Sequence, residues 1–261
     1  MIYRNDKFSK SLLIGLITLV ALPVYAQSIK AELSWSGRVA MSPLVKGYIS
    51  EVNVHPGDKV KKGDVLMRLF PDAFQANIDH FNALLKSNKS ILDEAKRELD
   101  RSEELYERTL LSDHDLQTDK NAYVLAKANH VSTLALLKQA RIELEYGINR
   151  APFNAIVLQR HAEVGQSVFP DIQAKPYIMI AEDNVMLARA WLTAKQANNV
   201  SAIDSVVKVR IKNSNHTGKI LSVGLEPKSD TELLYELMVR FELDGQHYRA
   251  GSSAEIIIDG L

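Results

Sequence analysis

Between Pro71 and Gly147 the sequence holds neither proline nor glycine. The stretch is rich in Ala, Leu, Glu, Lys and Gln, residues that give up little on entering a helix. Its apolar residues recur at spacings of three and four. Phe74, Ile78, Phe81, Leu85, Asn88, Leu92, Ala95, Leu99 and Ser102 form one stripe, and Leu116, Asp119, Tyr123, Ala126, His130, Thr133, Leu137, Ala140 and Leu144 form a second. This is heptad spacing, so each arm is expected to bury a narrow seam against the other. Between the stripes, Ser112 with Asp115 three residues later reads as a capping box that opens a second helix. A helical hairpin with its tip near residue 109 follows, each arm of about 33 residues spanning about 50 Å. Folded about that tip, Phe74 meets Leu144, Leu85 meets Thr133 and Ala95 meets Tyr123, large side chains facing small ones. The same register sets Asn88 opposite His130, a polar layer that aligns the arms, where a buried polar group left unpaired costs about 1–3 kcal/mol. The competing reading turns His130 to solvent.

Two β-type segments flank this insert. GYISEVNVHPGDKVKKGDVLMRL (47–69) carries short apolar runs broken by His55-Pro56-Gly57-Asp58 and Lys62-Gly63-Asp64. Proline presets φ and glycine supplies a positive φ, as a type II turn requires. APFNAIVLQRHAEVGQSVFPDIQAKPYIMIAE (151–182) has the same pattern, Gly165-Gln166-Ser167-Val168 echoing Gly57-Asp58-Lys59-Val60. One small β-sandwich, 42–71 with 145–182, is thus expected to be cut open by the hairpin, 72–144. After residue 183 period-two strands follow (185–194, 206–212, 218–225, 233–243 and 253–259), with a short helix at 195–200. With 27–41 they suggest a small β-barrel over 183–259. The fold class is therefore mainly β with a long α-helical coiled-coil hairpin: a split β-sandwich plus a small β-barrel, elongated and multi-domain.

Catalytic patterns are missing. No glycine-rich phosphate loop, HExxH or nucleophile elbow occurs, and the methionines do not cluster. SDHDLQTD (112–119) lacks the glycine and downstream glutamate of a calcium loop and reads better as a helix cap. No catalytic, cofactor-binding or metal site is expected, and the chain is not read as an enzyme. Lys+Arg and Asp+Glu are both 32, which gives no electrostatic reason to bind nucleic acid. There is no cysteine, hence no disulfide and no lipid-anchoring thiol. Arg4, Lys7 and Lys10 precede LLIGLITLVAL (12–22), Pro23 and Val24-Tyr25-Ala26. That is a signal peptide over 1–26, too short an apolar run for a spanning helix of about 20 residues. Its retention as an anchor is the alternative. Cleavage leaves 29 positive and 31 negative residues in an exported chain.

Split half-motifs around a helical insert, followed by barrel strands, resemble the periplasmic adaptor subunits, or membrane fusion proteins, of tripartite efflux pumps. The resemblance covers residues 38–259 and implies a split lipoyl domain, a hairpin and a barrel. It also implies no cofactor, ring-like self-association as a hexamer or trimer of dimers, and residence in the periplasm. The implied partners are an inner-membrane transporter, of the resistance-nodulation-division (RND) type or ATP-driven, and a TolC-type outer-membrane channel. Adaptors of this family carry Arg-x3-Leu-x6-Ser at the hairpin tip, and Arg101, Leu105 and Ser112 match it in spacing. Carried across, Arg101 hydrogen-bonds channel groups, Leu105 packs on the channel's helical tips and Ser112 adds a polar contact. Arg101 and Leu105 share a helix face. Leu105 lies outside the seam stripe and is expected to be exposed, with packing on the returning arm as its alternative. The resemblance departs at the ends, where the family's membrane-proximal domain and lipid-bearing cysteine are not expected, so the adaptor is read as held by its partners. Two other classes compete: a lipoyl or biotinyl carrier, whose tight modified hairpin is replaced here by the insert, and a periplasmic chaperone.

Overall fold

The computed structural model describes residues 26–170, 176–200, 203–228 and 233–259. The signal-peptide segment expected over 1–26 falls outside them except for Ala26, which opens the first strand. Among the described residues no helix is long and apolar enough to cross a membrane.

The sandwich is knitted from both halves of the chain. One sheet orders β2 (Val39–Met41), β9 (Ile178–Glu182), β7 (Ala155–Arg160) and β4 (Lys59–Val60). The other orders β6 (Ile148–Arg150), β5 (Val65–Leu69), β3 (Gly47–Val52) and β8 (Ser167–Val168). Each sheet thus contains strands from before and after the insert. β2 lies in the segment assigned above to the barrel, yet pairs with β9 in the sandwich.

Three turns share one design. At His55–Asp58, Lys61–Asp64 and Glu163–Gln166 the fourth residue's N–H reaches the first carbonyl at 3.0–3.1 Å, and its side chain accepts the first N–H at 2.7–3.1 Å. Gly57 (φ 97°) and Gly165 (φ 84°) take the positive φ this geometry needs. Each turn docks on the opposite half: Gly57 and Asp58 bracket Val157, while Gly165 and Gln166 bracket Ile49. The sequence echo thus corresponds to exchanged backbone hydrogen bonds. Between the sheets Ile49, Leu66, Met67, Leu69, Ile178 and Ile180 are buried, each such side chain contributing about 1.5–3 kcal/mol.

A second unit is a closed barrel. Its order is β1 (Ala26–Trp35), β10 (Val185–Thr193), β13 (Leu234–Glu242), β12 (Ser214–Pro227), β11 (Val206–Ile211) and β14 (Ser253–Asp259). Strict alternation in VVKVRI places Val207, Val209 and Ile211 inside. Gly218 is required there, since a Cβ would stand 2.6 Å from Val239 Cγ1. The short α3 (Ala194–Asn199) starts at Thr193, whose side chain and that of Gln196 form a reciprocal capping box.

Candidate docking site at the hairpin tip

The insert folds into two helices, α1 (Asp72–Glu107) and α2 (Asp113–Tyr146), about 54 and 51 Å long. Ile78, Leu137 and Ala140 bury the seam near its base, with Phe81, Leu85 and Leu144 against them. Two polar bridges cross it. Asn88 Nδ2 donates to Thr133 Oγ1 at 2.7 Å, and buried Ser102 donates through its hydroxyl to Asp119 Oδ2. The bridges are equally spaced along both arms, so they define one antiparallel register.

That register is not the one expected from the sequence. Asn88 faces Thr133 rather than His130, so the Asn88–His130 layer does not form. His130 is partly buried, and its Nδ1 has no hydrogen-bond partner among the described residues. The nearby acid is Asp93, whose pKa is held below the usual carboxylate range. The main cause is a hydrogen bond from Lys89 at 2.6 Å, with smaller contributions from the charges of Lys89, Arg97 and His130. The shift of register comes from the turn, which takes up more chain than a tip at residue 109 allows.

α1 ends in a Schellman motif. Thr109 N–H donates to Tyr106 O and Leu110 N–H to Leu105 O, both at 2.9 Å. The left-handed position, commonly glycine, is occupied by Thr109 at φ 59°. A β-branched residue there is uncommon. The motif closes the last carbonyls of α1 and leaves Leu110 64% exposed at the apex, beside a 42% exposed Tyr106. Ser112 then caps α2, its Oγ accepting Asp115 N–H at 3.2 Å and donating to Asp115 Oδ2 at 2.6 Å. The expected capping box is only half present, because the aspartate answers the serine hydroxyl rather than its backbone N–H.

The three signature residues occupy distinct environments. Arg101 is solvent-facing, its side chain 67% exposed, and pairs with Glu98 at 3.1 and 3.2 Å. Ser112 is exposed and engaged in the cap. Leu105 corrects the expectation: it is partly buried. The α1 stripe continues by three residues from Ser102 to Leu105, and the observed register sets Leu105 opposite the buried Leu116. The exposed apolar side chain of the tip is Leu110. Its position between two helix signals, with no place in either stripe, was the available clue.

The two arms also present different outer faces. α1 exposes Lys86, Lys96, Arg97, Glu103 and Glu104, with Leu84 and Ile91 among them. α2 exposes Val124, Leu125, Val131 and Leu134, each more than half accessible, and its charged residues between Asp119 and Glu143, histidine aside, are Lys120, Lys127, Lys138 and Arg141. An apolar stripe of this kind on the outside of a helix marks an interaction surface more often than chance exposure.

Comparison with known proteins places this architecture. Residues 38–175 match the family described as "CzcB-like, barrel-sandwich hybrid domain". The multidrug resistance protein MdtA of Yersinia enterocolitica is 23% identical over 148 residues, covering 57% of this chain and 33% of that protein. MdtA of Yersinia pestis strain Pestoides F is 22% identical over 209 residues, 79% of this chain and 45% of the relative. The chain thus spans between a third and under half of the length of these curated relatives. Among solved structures, the membrane fusion protein Spr0693 of Streptococcus pneumoniae R6 superposes with a TM-score of 0.72 at 16% identity, covering 89% of this chain and 99% of that one. A MacA–MexA chimera carrying the Pseudomonas aeruginosa MexA α-hairpin gives 0.66 at 22% identity, with 90% and 82% covered. These likenesses concern the fold. The family match takes in the whole hairpin and every strand of the split sandwich except β9, more than half of the sequence, and the chain belongs to the CzcB-like barrel-sandwich hybrid family.

Proposed function

We propose that this chain is the periplasmic adaptor of a tripartite pump, joining an RND-type inner-membrane transporter to a TolC-type outer-membrane channel for export of small molecules. The observation that carries the reading is the hairpin apex, where Arg101, Leu110 and Ser112 stand exposed at the end of an insert in a split sandwich. An exposed guanidinium about two helical turns below an exposed leucine supplies a directional donor and an apolar anchor, residue types on which interfaces concentrate their energy. In this reading Leu105 supports the turn and contributes its remaining exposed edge, and Ser112 both caps α2 and meets the channel.

Self-association belongs to the same proposal. The apolar, basic outer face of α2 is proposed to pack on the outer face of α1, where Glu94, Asp100, Glu103 and Glu104 stand among Lys86, Lys96 and Arg97. A contact of α2 on one copy with α1 on the next is heterologous, and such contacts form a ring when the rotation between copies closes. A hexamer or trimer of dimers meets that requirement.

The test is Arg101→Asp. Because Arg101 is exposed and its ion pair among the described residues is with its helical neighbour Glu98, circular dichroism and melting temperature are expected to stay unchanged while pump-dependent resistance is lost. Retained resistance, or loss of folding, removes Arg101 from the docking site.

A further inference from the structure

Beside the foot of the hairpin the sandwich displays an aromatic row that its core does not use. Tyr48 on β3 stands opposite Phe70, which follows β5 and donates its N–H to Tyr48 O at 2.8 Å. On its other side Tyr48 pairs with Ser167 of β8. Phe169, two residues further along, therefore falls on the same outward face, since Val168 between them is buried. The three rings are 59%, 51% and 55% exposed. An open cavity of about 900 Å³ lies against Tyr48 and Phe70, walled by Phe74, Asn77 and His80 of α1 and by Glu143 of α2. That is the size of a small-molecule site.

The charges on this cavity are unequal. Asp72 and Glu143 bring two carboxylates, against the single ammonium of Lys46. Glu143 accepts a hydrogen bond from Gln139 at 3.2 Å, and none of the three charged groups forms an ion pair among the described residues. Aromatic faces carry a negative quadrupole and attract cations, the more so where carboxylates stand close by. We propose that this cavity binds a flat organic cation, stacked on Tyr48 and Phe70 with its charge held by Asp72 and Glu143. The site is formed by one copy of the chain and depends on neither the channel nor the transporter, so it stands or falls separately from the docking proposal.

The probe is rhodamine 6G, an aromatic cation, titrated against the full mature chain and followed by fluorescence anisotropy. Anionic anilinonaphthalene sulfonate and neutral N-phenyl-1-naphthylamine serve as comparison probes. Saturable binding of the cation is expected, weakened about tenfold by the Asp72→Asn/Glu143→Gln pair and by Tyr48→Ser/Phe70→Ser. Circular dichroism is expected to be unchanged, because Tyr48, Phe70 and Asp72 are exposed and the partly buried Glu143 is hydrogen-bonded to the exposed Gln139, a bond that a glutamine can keep. Equal binding of the anionic or neutral probe overturns the proposal, as does affinity indifferent to the carboxamide pair or no saturable binding. Cation binding that vanishes as the chain self-associates assigns the face to a contact between copies and overturns it too.

Discussion

At Thr109 a single backbone angle decides what the tip exposes. A β-branched residue in the left-handed region costs about 1–2 kcal/mol, and it is held there by the Schellman hydrogen bonds to Leu105 and Tyr106 and by its own hydroxyl, which donates to Arg108 O at 2.7 Å. Thr109→Gly relieves that strain, partly offset by glycine's greater freedom when unfolded. It is expected to raise hairpin stability by up to about 1 kcal/mol in urea titration; a loss of stability contradicts the assignment. His130 offers a second measurement. Its buried Nδ1 lacks a partner at a seam position, so His130→Leu is expected to stabilise the fold by about 1–3 kcal/mol, whereas a genuine polar layer predicts the reverse. Lys89→Met is expected to raise the titration of Asp93, followed by the carboxyl's NMR shift, because the Lys89 hydrogen bond is the main cause of its depressed pKa. A low folded-state pKa contributes stability above the unfolded pKa that is lost as pH falls through the folded one. The variant is thus expected to show less of this acid-side dependence.

At the scale of the hairpin, what could be read in the sequence was its existence, its arms and the seam, because a stretch free of proline and glycine with heptad spacing has few other folds. The register was not legible. It hangs on a turn whose left-handed residue is a threonine, where glycine would have announced it. Once the turn occupies Arg108 to Leu111, Asn88 slides to Thr133 and Leu105 joins the seam. That correction separates two leucines experimentally. Leu105→Ala is expected to lower the melting temperature as well as resistance, through about 1–2 kcal/mol of lost packing. Leu110→Ala, at the exposed apex, is expected to lower resistance alone. If both variants melt like the parent, Leu105 does not pack in the seam. Leu125→Glu with Val131→Glu tests the outer face of α2: sedimentation is expected to shift toward smaller species with helicity unchanged, and an unaltered distribution removes that face from the copy-to-copy contact.

For the molecule as a whole, the order of segments carried more information than any one of them. The two half-motifs were recognisable because their turns need glycine at a positive φ and an acceptor side chain one residue on, a pattern that survives in sequence. That the halves exchange hydrogen bonds, Gly57 and Asp58 with Val157 and Gly165 and Gln166 with Ile49, was not legible, since backbone partners leave no side-chain trace. The same holds for β2, whose three residues carry too little pattern to reveal that they pair with β9. The family assignment rests on this arrangement, while the channel and transporter are proposals that rest on the tip. The channel proposal is tested at Leu110, the most exposed apolar side chain of the apex. The direct measurement replaces Leu110 with a photo-reactive residue in the full chain and cross-links in living cells. Recovery of one outer-membrane channel protein, lost when Arg101→Asp is added, is the predicted result; a spread of unfolded proteins, or no channel at all, contradicts it.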